Sequence, residues 1–132
     1  MPSLRITHGT WEESQQAAKM IREQVFIQEQ NIAAEDEWDE QDEIAVHFVV
    51  YEQDQAIATA RLLQNHSIGR VAVLKSHRGL GVGKVLMQAV IAYAQQQLRP
   101  FLVLSSQVHA QAFYQALGFM QIGRASCRER VS

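Results

Sequence analysis

Hydrophobic periodicity in the first forty residues predicts a short strand followed by an amphipathic helix. Leu4–Thr7 can form the strand. The helix begins after Thr10, because Glu13 stands three residues later, as in a capping box. Its buried face recurs at helical spacing through Ser14, Ala18, Ile21 and Val25, and we expect it to end near Gln30.

The middle of the chain reads as strands separated by polar turns. Ile44–Glu52 and Ala56–Leu63 flank Gln53–Gln55, which predicts a hairpin. A second turn at residues 64–66 leads into the strand-like run Ser67–Leu74.

The second half alternates helices with strands. A helix over Val85–Leu98 is stopped by Arg99–Pro100, and the apolar run Phe101–Leu104 is typical of a buried central strand. A further helix over residues 110–117 ends at Gly118, and a strand begins at Phe119. This order predicts an α/β fold of three layers, with a mixed central sheet flanked by helices.

The last eleven residues do not fit this pattern. Residues 122–132 hold three of the nine arginines and the only cysteine, and they lack strand alternation. We therefore predict that residues 1–121 form the domain, that residues 122–132 are a non-native tail, and that the native C-terminal strand is missing.

Length and composition narrow the functional classes. A chain of 132 residues suits a single domain, and a net charge of −2 without a basic face argues against nucleic acid. No apolar stretch reaches membrane length and no signal region is present, so we expect a cytoplasmic protein with no membrane partner. The lone Cys127 and the scattered histidines predict no metal site.

An acidic run precedes the predicted hairpin. Glu35–Glu43 packs seven carboxylates into nine residues, with Trp38 among them. Such a run is either a solvated loop extended by self-repulsion or a negative rim that steers cationic amines. Trp38 indicates that part of the loop is pinned to the domain.

The most informative segment is Arg78-Gly79-Leu80-Gly81-Val82-Gly83-Lys84, between a predicted strand and a predicted helix. Glycines at every second position let the backbone turn tightly and approach a ligand closely. The N–H groups at the start of the helix then favour an anion. This pattern predicts a phosphate site, although a ligand-free strand-to-helix turn would look similar.

Two common phosphate-binding loops are excluded by spacing. A P-loop needs four residues between its first glycine and its Gly-Lys pair, and a hydroxyl residue after the pair. Here only three residues separate Gly79 from Gly83, and Val85 follows Lys84. The dinucleotide fingerprint needs a glycine where Lys84 stands.

What remains, Arg-x-x-Gly-x-Gly at Arg78, Gly81 and Gly83, resembles the pyrophosphate loop of the GNAT-type N-acetyltransferases. Residues 105–119 resemble a second block of that family, which ends in Phe-Tyr-x-x-x-Gly-Phe and matches at Phe113, Tyr114, Gly118 and Phe119. Further matches at residues 25–30, 37–42, 47 and 60–62 resemble a small bacterial subgroup of mostly unassigned substrate. The resemblance covers residues 4 to about 122.

The resemblance implies an enzyme that transfers acetyl from acetyl-CoA, a co-substrate, to a primary amine on a small molecule or an exposed lysine. It implies Tyr114 as the acid that protonates the thiolate and Glu29 as the base, with His47, His109 or a water chain as alternatives. It also makes a homodimer a candidate assembly. The implied cofactor-binding residues are Val71, Ala72, Val73, Arg78, Gly79, Leu80, Gly81, Val82, Gly83, Lys84 and Gln107.

Two other functions remain open on the sequence. A non-catalytic acyl-CoA sensor on the same fold would bind the cofactor without turnover, and exchange of Tyr114 would then change nothing. A different nucleotide-binding protein is disfavoured, because Lys84 and Val85 break both competing loop patterns.

Overall fold

A computed structural model describes residues 3–33, 39–105, 118, 120–121 and 126–130. Two helices, α1 and α2, and seven strands are described, together with a π-helical segment that continues α1 and two short 3₁₀ turns, at Glu40–Glu43 and Lys75–His77. The helical elements are α1 (Trp11–Arg22), the π-helical segment (Glu23–Glu29) and α2 (Val82–Gln96). The strands are β1 (Leu4–Gly9), β2 (Val46–Glu52), β3 (Gln55–Leu62), β4 (Ser67–Val73), β5 (Phe101–Ser105), β6 (Met120–Gln121) and β7 (Ser126–Arg130).

The strands form one mixed sheet in the order β1-β2-β3-β4-β5-β7-β6. β4 and β5 pair in parallel, and the other described neighbours are antiparallel. The predicted α/β class with a mixed, helix-flanked sheet is confirmed. None of the helices described in these ranges combines the length and apolar character needed to cross a bilayer.

Consecutive side chains of β2 contact different helices. The ring of His47 lies 4.8 Å from that of Trp11 in α1, whereas the ring of Phe48 meets Tyr93 of α2 at 5.4 Å. Because neighbouring side chains of a strand point to opposite faces, α1 and α2 cover opposite sides of the sheet. A cluster of buried apolar residues, Ile57 and Leu86 among them, forms the hydrophobic core.

The N-terminus of α1 confirms the predicted capping box. The Thr10 hydroxyl accepts from the N–H of Glu13 at 3.3 Å, and the Glu13 carboxylate accepts from the N–H of Thr10 at 2.9 Å. α2 begins three residues earlier than predicted, at Val82, because Gly81 takes the N-cap position. The predicted helix over residues 110–117 lies outside the described residues.

The structure has a strand within residues 122–132, where the sequence showed no alternation, and the absence of the native C-terminal strand stays a prediction. Ser126–Arg130 forms β7, which pairs with β5 from Phe101↔Arg130 to Ser105↔Ser126. Ladder hydrogen bonds join backbone groups, so this pairing does not require apolar alternation in β7. That residues 122–132 are non-native stays a prediction, and sequencing the gene at its source locus checks it.

A buried charge cluster fixes the second half of the acidic run. Asp42 is 2% exposed and accepts from Arg22 at 2.8 Å and Arg61 at 2.9 Å. Arg61 also donates to Asp39 at 2.8 Å, and Arg70 approaches the same carboxylate at 3.3 Å. The described part of the run is therefore tied to α1, β3 and β4, which corrects the picture of a uniformly solvated loop.

Asp42→Asn is expected to lower the free energy of unfolding by about 3–5 kcal/mol, because it leaves two buried guanidinium groups without their shared anion. Urea unfolding measures this. Glu40→Gln, an exposed change in the same 3₁₀ turn, should stay within about 0.5 kcal/mol. Equal effects of the two changes would contradict the buried role of Asp42.

His47 predicts a pH dependence of stability. Burial lowers the pKa of its imidazole below 6.5, against the opposing hydrogen bond at 2.8 Å between Nε2 and the Asp42 carbonyl. The free energy of unfolding is therefore highest above the unfolded pKa of about 6.5. It falls as pH is lowered from there towards the folded pKa, by at most about 1.4 kcal/mol per pH unit. Urea unfolding between pH 7.5 and 5 should show a weaker dependence of this free energy on pH in His47→Gln, and the same dependence in both proteins would contradict this.

Candidate active site

The glycine loop joins the end of β4 to the start of α2. Gly79 and Gly81 adopt φ of +78° and +83°, in the left-handed region that favours glycine. A Cβ built on either would meet nothing within 4 Å, so space lies beside both residues. The conformation and the open space agree with the predicted close approach of a ligand.

The start of α2 offers hydrogen-bond donors to that space. Gly81 is the N-cap and supplies no side-chain acceptor for the first N–H groups of the helix. Lys84 is exposed in the first turn and adds a positive charge. Unpaired helix N–H groups beside a cation favour an anion, so the geometry is suited to a phosphate.

The described pairing of β4 with β3 extends further towards this loop than its described pairing with β5. In the described residues the two strands pair at Ser67↔Val103 and Ile68↔Leu104, near the start of β4. On its other edge β4 stays paired with β3 as far as Ala58↔Val73, across a register shift where Arg70 takes φ of +51°. A bulge of this kind re-aims a strand, and bulges are frequent beside active sites.

The backbone of Val73 is directed to the edge of β4 that faces away from β3. Leu74 donates its N–H to Ile57 at 2.9 Å, which makes this pair a hydrogen-bonded position of the ladder. By antiparallel alternation, Val73 turns its N–H and C=O away from β3. The predicted polarising group, the Val73 amide, therefore faces the β5 side of β4.

Arg78 connects the end of β4 to the π-helical segment. Its Nε donates to the Val73 carbonyl at 2.9 Å. Its two terminal nitrogens donate to the two carboxylate oxygens of Glu29 at 2.7 and 2.9 Å. One guanidinium thus holds both the end of β4 and the end of the segment that follows α1.

The hydrogen bonds from Arg78 lower the pKa of the Glu29 carboxyl, outweighing its partial desolvation, and the charge of Lys75 acts in the same direction. Glu29 is therefore anionic at neutral pH in this arrangement. An anionic carboxylate can attract an ammonium group and accept its proton, although a low pKa makes it a weaker base.

The structure brings together part of the predicted site. Val71, Ala72 and Val73 lie on the stretch of β4 that leads to the loop, and Arg78 joins Val73 to Glu29. Gln107, Tyr114 and the alternative base His109 lie outside the described residues.

The other described histidines have partners outside this arrangement. His47 is buried beside Asp42, with its ring against Trp11, and so has a structural environment. His66 and His77 lie in turns, whereas His8 lies in β1.

Sequence reasoning missed the π-helical segment and the contact that it makes. The apolar spacing from Ser14 to Val25 gave no sign that the helix widens at Glu23. Glu29 and Arg78 are 49 positions apart, and no local pattern links residues at that separation. Only the folded chain shows that they meet.

Comparison with known proteins places this geometry in a family. The sequence model described as "Acetyltransferase (GNAT) domain" matches residues 11–132. The uncharacterized N-acetyltransferase YjcF of Bacillus subtilis is 36% identical over 111 residues, which cover 82% of this chain and 79% of YjcF. The chain belongs to the GNAT acetyltransferase family. It is therefore an acyltransferase.

Two solved structures superpose on most of this chain. Escherichia coli ElaA superposes with a TM-score of 0.85 at 26% identity, and the match covers 98% of this chain and 100% of ElaA. An acyl-CoA N-acyltransferase from Pseudomonas aeruginosa superposes with a TM-score of 0.85 at 27% identity, and the match covers 96% of this chain and 99% of that protein. These similarities extend the family assignment from sequence to fold.

Gly81→Ala should destabilise this GNAT domain by about 1–2 kcal/mol, because a Cβ is strained at φ of +83° even where space is open. It should also weaken coenzyme A binding. Urea unfolding and calorimetric titration measure the two effects. Gly83→Ala is the matched control: Gly83 lies inside α2 and outside the left-handed region, so no such strain is expected. Equal destabilisation would contradict the argument.

Proposed function

We propose that this protein is an acetyl-CoA-dependent N-acetyltransferase that acts on a primary amine, either a small molecule or an exposed lysine. The observation that carries the proposal is the glycine loop after β4, together with the Val73 N–H and C=O that point away from β3. A phosphate site and backbone hydrogen-bonding groups then lie next to each other, as an extended phosphorylated thioester requires.

In this proposal the loop holds the pyrophosphate. The N–H groups of residues 79–84 and the ammonium of Lys84 contact the phosphate oxygens, as at other helix N-termini. The pantetheine arm pairs with the backbone of Val71–Val73 along the edge of β4 that faces away from β3, as an added strand would. Gln107 contacts the cofactor from the segment that follows β5.

The reaction is direct attack of the amine on the thioester. A primary amine of pKa about 10.4 is a free base in only about one molecule in 10³ at pH 7, so a group must accept its proton. The neutral amine forms a bond to the carbonyl carbon and the Val73 N–H stabilises the oxyanion. Collapse breaks the C–S bond, and Tyr114 gives its proton to the departing thiolate. The nitrogen releases its second proton to water, and water returns a proton to the tyrosine.

Glu29 is the proposed proton acceptor. Its carboxylate is about one-third exposed and is bound to the same arginine as the Val73 carbonyl, so it lies on the acyl side of the loop. An incoming ammonium meets an anionic group there and can transfer its proton directly or through one water molecule.

Acetyl-CoA at a hundredfold excess over its dissociation constant should stabilise the fold by about 2.7 kcal/mol, because it binds only the native state. Thermal melts measure this. Thiol release with a panel of primary amines and a lysine peptide then tests transfer. Binding without thiol release would favour the sensor function, and stabilisation by ATP but not by acetyl-CoA would contradict the proposal.

Tyr114→Phe should lower kcat by about 10²-fold, the lower end for a general acid, because a thiolate is a good leaving group. Acetyl-CoA affinity should change little. Single-turnover kinetics separate the two effects. Tyr93→Phe, a tyrosine of α2 packed against Phe48, serves as control and should leave kcat within about threefold of wild type. An unchanged rate in Tyr114→Phe would remove the tyrosine from the mechanism.

A further inference from the structure

We propose that Arg78 is a positioning residue, which holds Glu29 at the acyl site, rather than a ligand of the cofactor phosphates. The inference rests on the proposed function, because it assigns Glu29 a part in that reaction. It departs from what the loop motif suggests, which is a cation directed at the pyrophosphate.

The contacts of the guanidinium carry the inference. An arginine has five N–H donors, and Nε and both terminal nitrogens of Arg78 are engaged with Val73 and Glu29 at 2.7 to 2.9 Å. Two parallel N–H···O bonds to one carboxylate fix its orientation as well as its distance. Three of the five N–H groups are therefore committed, and the end of the guanidinium that can bind one anion through both terminal nitrogens is occupied by Glu29.

The position of the pair explains why it matters. Glu29 is the last residue of the π-helical segment, and the backbone bond from Ile32 to Phe26 at 2.8 Å closes the turn there. Arg78 opens the glycine loop. The ion pair therefore ties the end of one helical layer to the loop that shapes the acyl site, across 49 positions of sequence.

The phosphates do not need Arg78. The loop already offers the N–H groups at the start of α2 and the exposed ammonium of Lys84. Lys75, in the turn before the loop, is a further cation and also acts on Glu29. Anion binding and carboxylate positioning thus fall to different cations.

Hydrogen exchange of the unliganded protein tests the contact itself. Arg78→Gln should raise the exchange rate of peptides covering residues 26–32 by about twofold to fivefold, the range that a partly exposed charge pair supports. Glu29→Gln should raise the exchange rate of residues 79–84. The double variant should exchange little faster in either region than the single variants do. Arg5→Gln, on β1, is the control and should change neither region. Unchanged exchange in residues 26–32 would overturn the proposal.

Coenzyme A titration separates positioning from phosphate binding. Arg78→Gln should keep the dissociation constant within about threefold of wild type, whereas Lys84→Gln should raise it by about tenfold. A tenfold loss in Arg78→Gln would overturn the proposal. If wild type binds no coenzyme A at all, the proposed function fails, and the exchange experiment still decides the pairing of Arg78 with Glu29.

Kinetics with the best amine of the panel test the role in catalysis. Arg78→Gln should lower kcat/KM for the amine about tenfold, Glu29→Gln more, and the double variant no more than Glu29→Gln. The acidic limb of the pH profile should move to higher pH in Arg78→Gln, because Lys75 alone then favours the Glu29 anion. Arg78→Lys should restore part of the rate. Additive losses or an unmoved limb would overturn the proposal.

Discussion

The site depends on one constraint on β4: the strand must stay paired with β3 up to the turn that leads into the glycine loop. Pairing with β3 persists to Val73, and the N–H of Leu74 adds a bond to Ile57. A strand so placed has a fixed backbone, and Val73 turns its N–H and C=O to the other edge. The bulge at Arg70 turns the strand, and the ladder to β3 resumes beyond it. The glycine loop then starts from a rigid point.

The buried cluster around Asp42 explains how an acidic run can belong to an ordered domain. Arg22 comes from α1 and Arg61 from β3, so one carboxylate joins a helix to the sheet that it covers. Burial would raise the pKa of Asp42, but the two arginines outweigh it and lower that pKa. Asp39, bound by Arg61 and Arg70, extends the cluster to β4. The same run is thus both a charge-rich surface and a structural joint.

Most of the fold could be predicted from sequence, because it depends on local patterns. The capping box at Thr10, the hairpin around Gln53 and the apolar strand at Phe101 are signals within a few residues. The glycine loop was predicted for the same reason, and Gly79 and Gly81 have the expected backbone. Contacts between distant residues could not be predicted. No pattern paired Arg22 with Asp42 or Arg78 with Glu29, and β7 formed without the alternation that marks a strand.

The π-helical segment has a consequence for how related sequences are aligned and engineered. A turn closed by i→i+5 bonds accommodates one residue more than an α-helical turn, and such turns are frequent at functional sites. Removing one residue between Glu23 and Glu29 would let α1 continue as an ordinary helix. Each residue of an α-helix rotates the side-chain direction by about 100°, so the carboxylate would turn away from Arg78. In this segment a one-residue gap in an alignment is a change in chemistry, even where all the remaining side chains are the same.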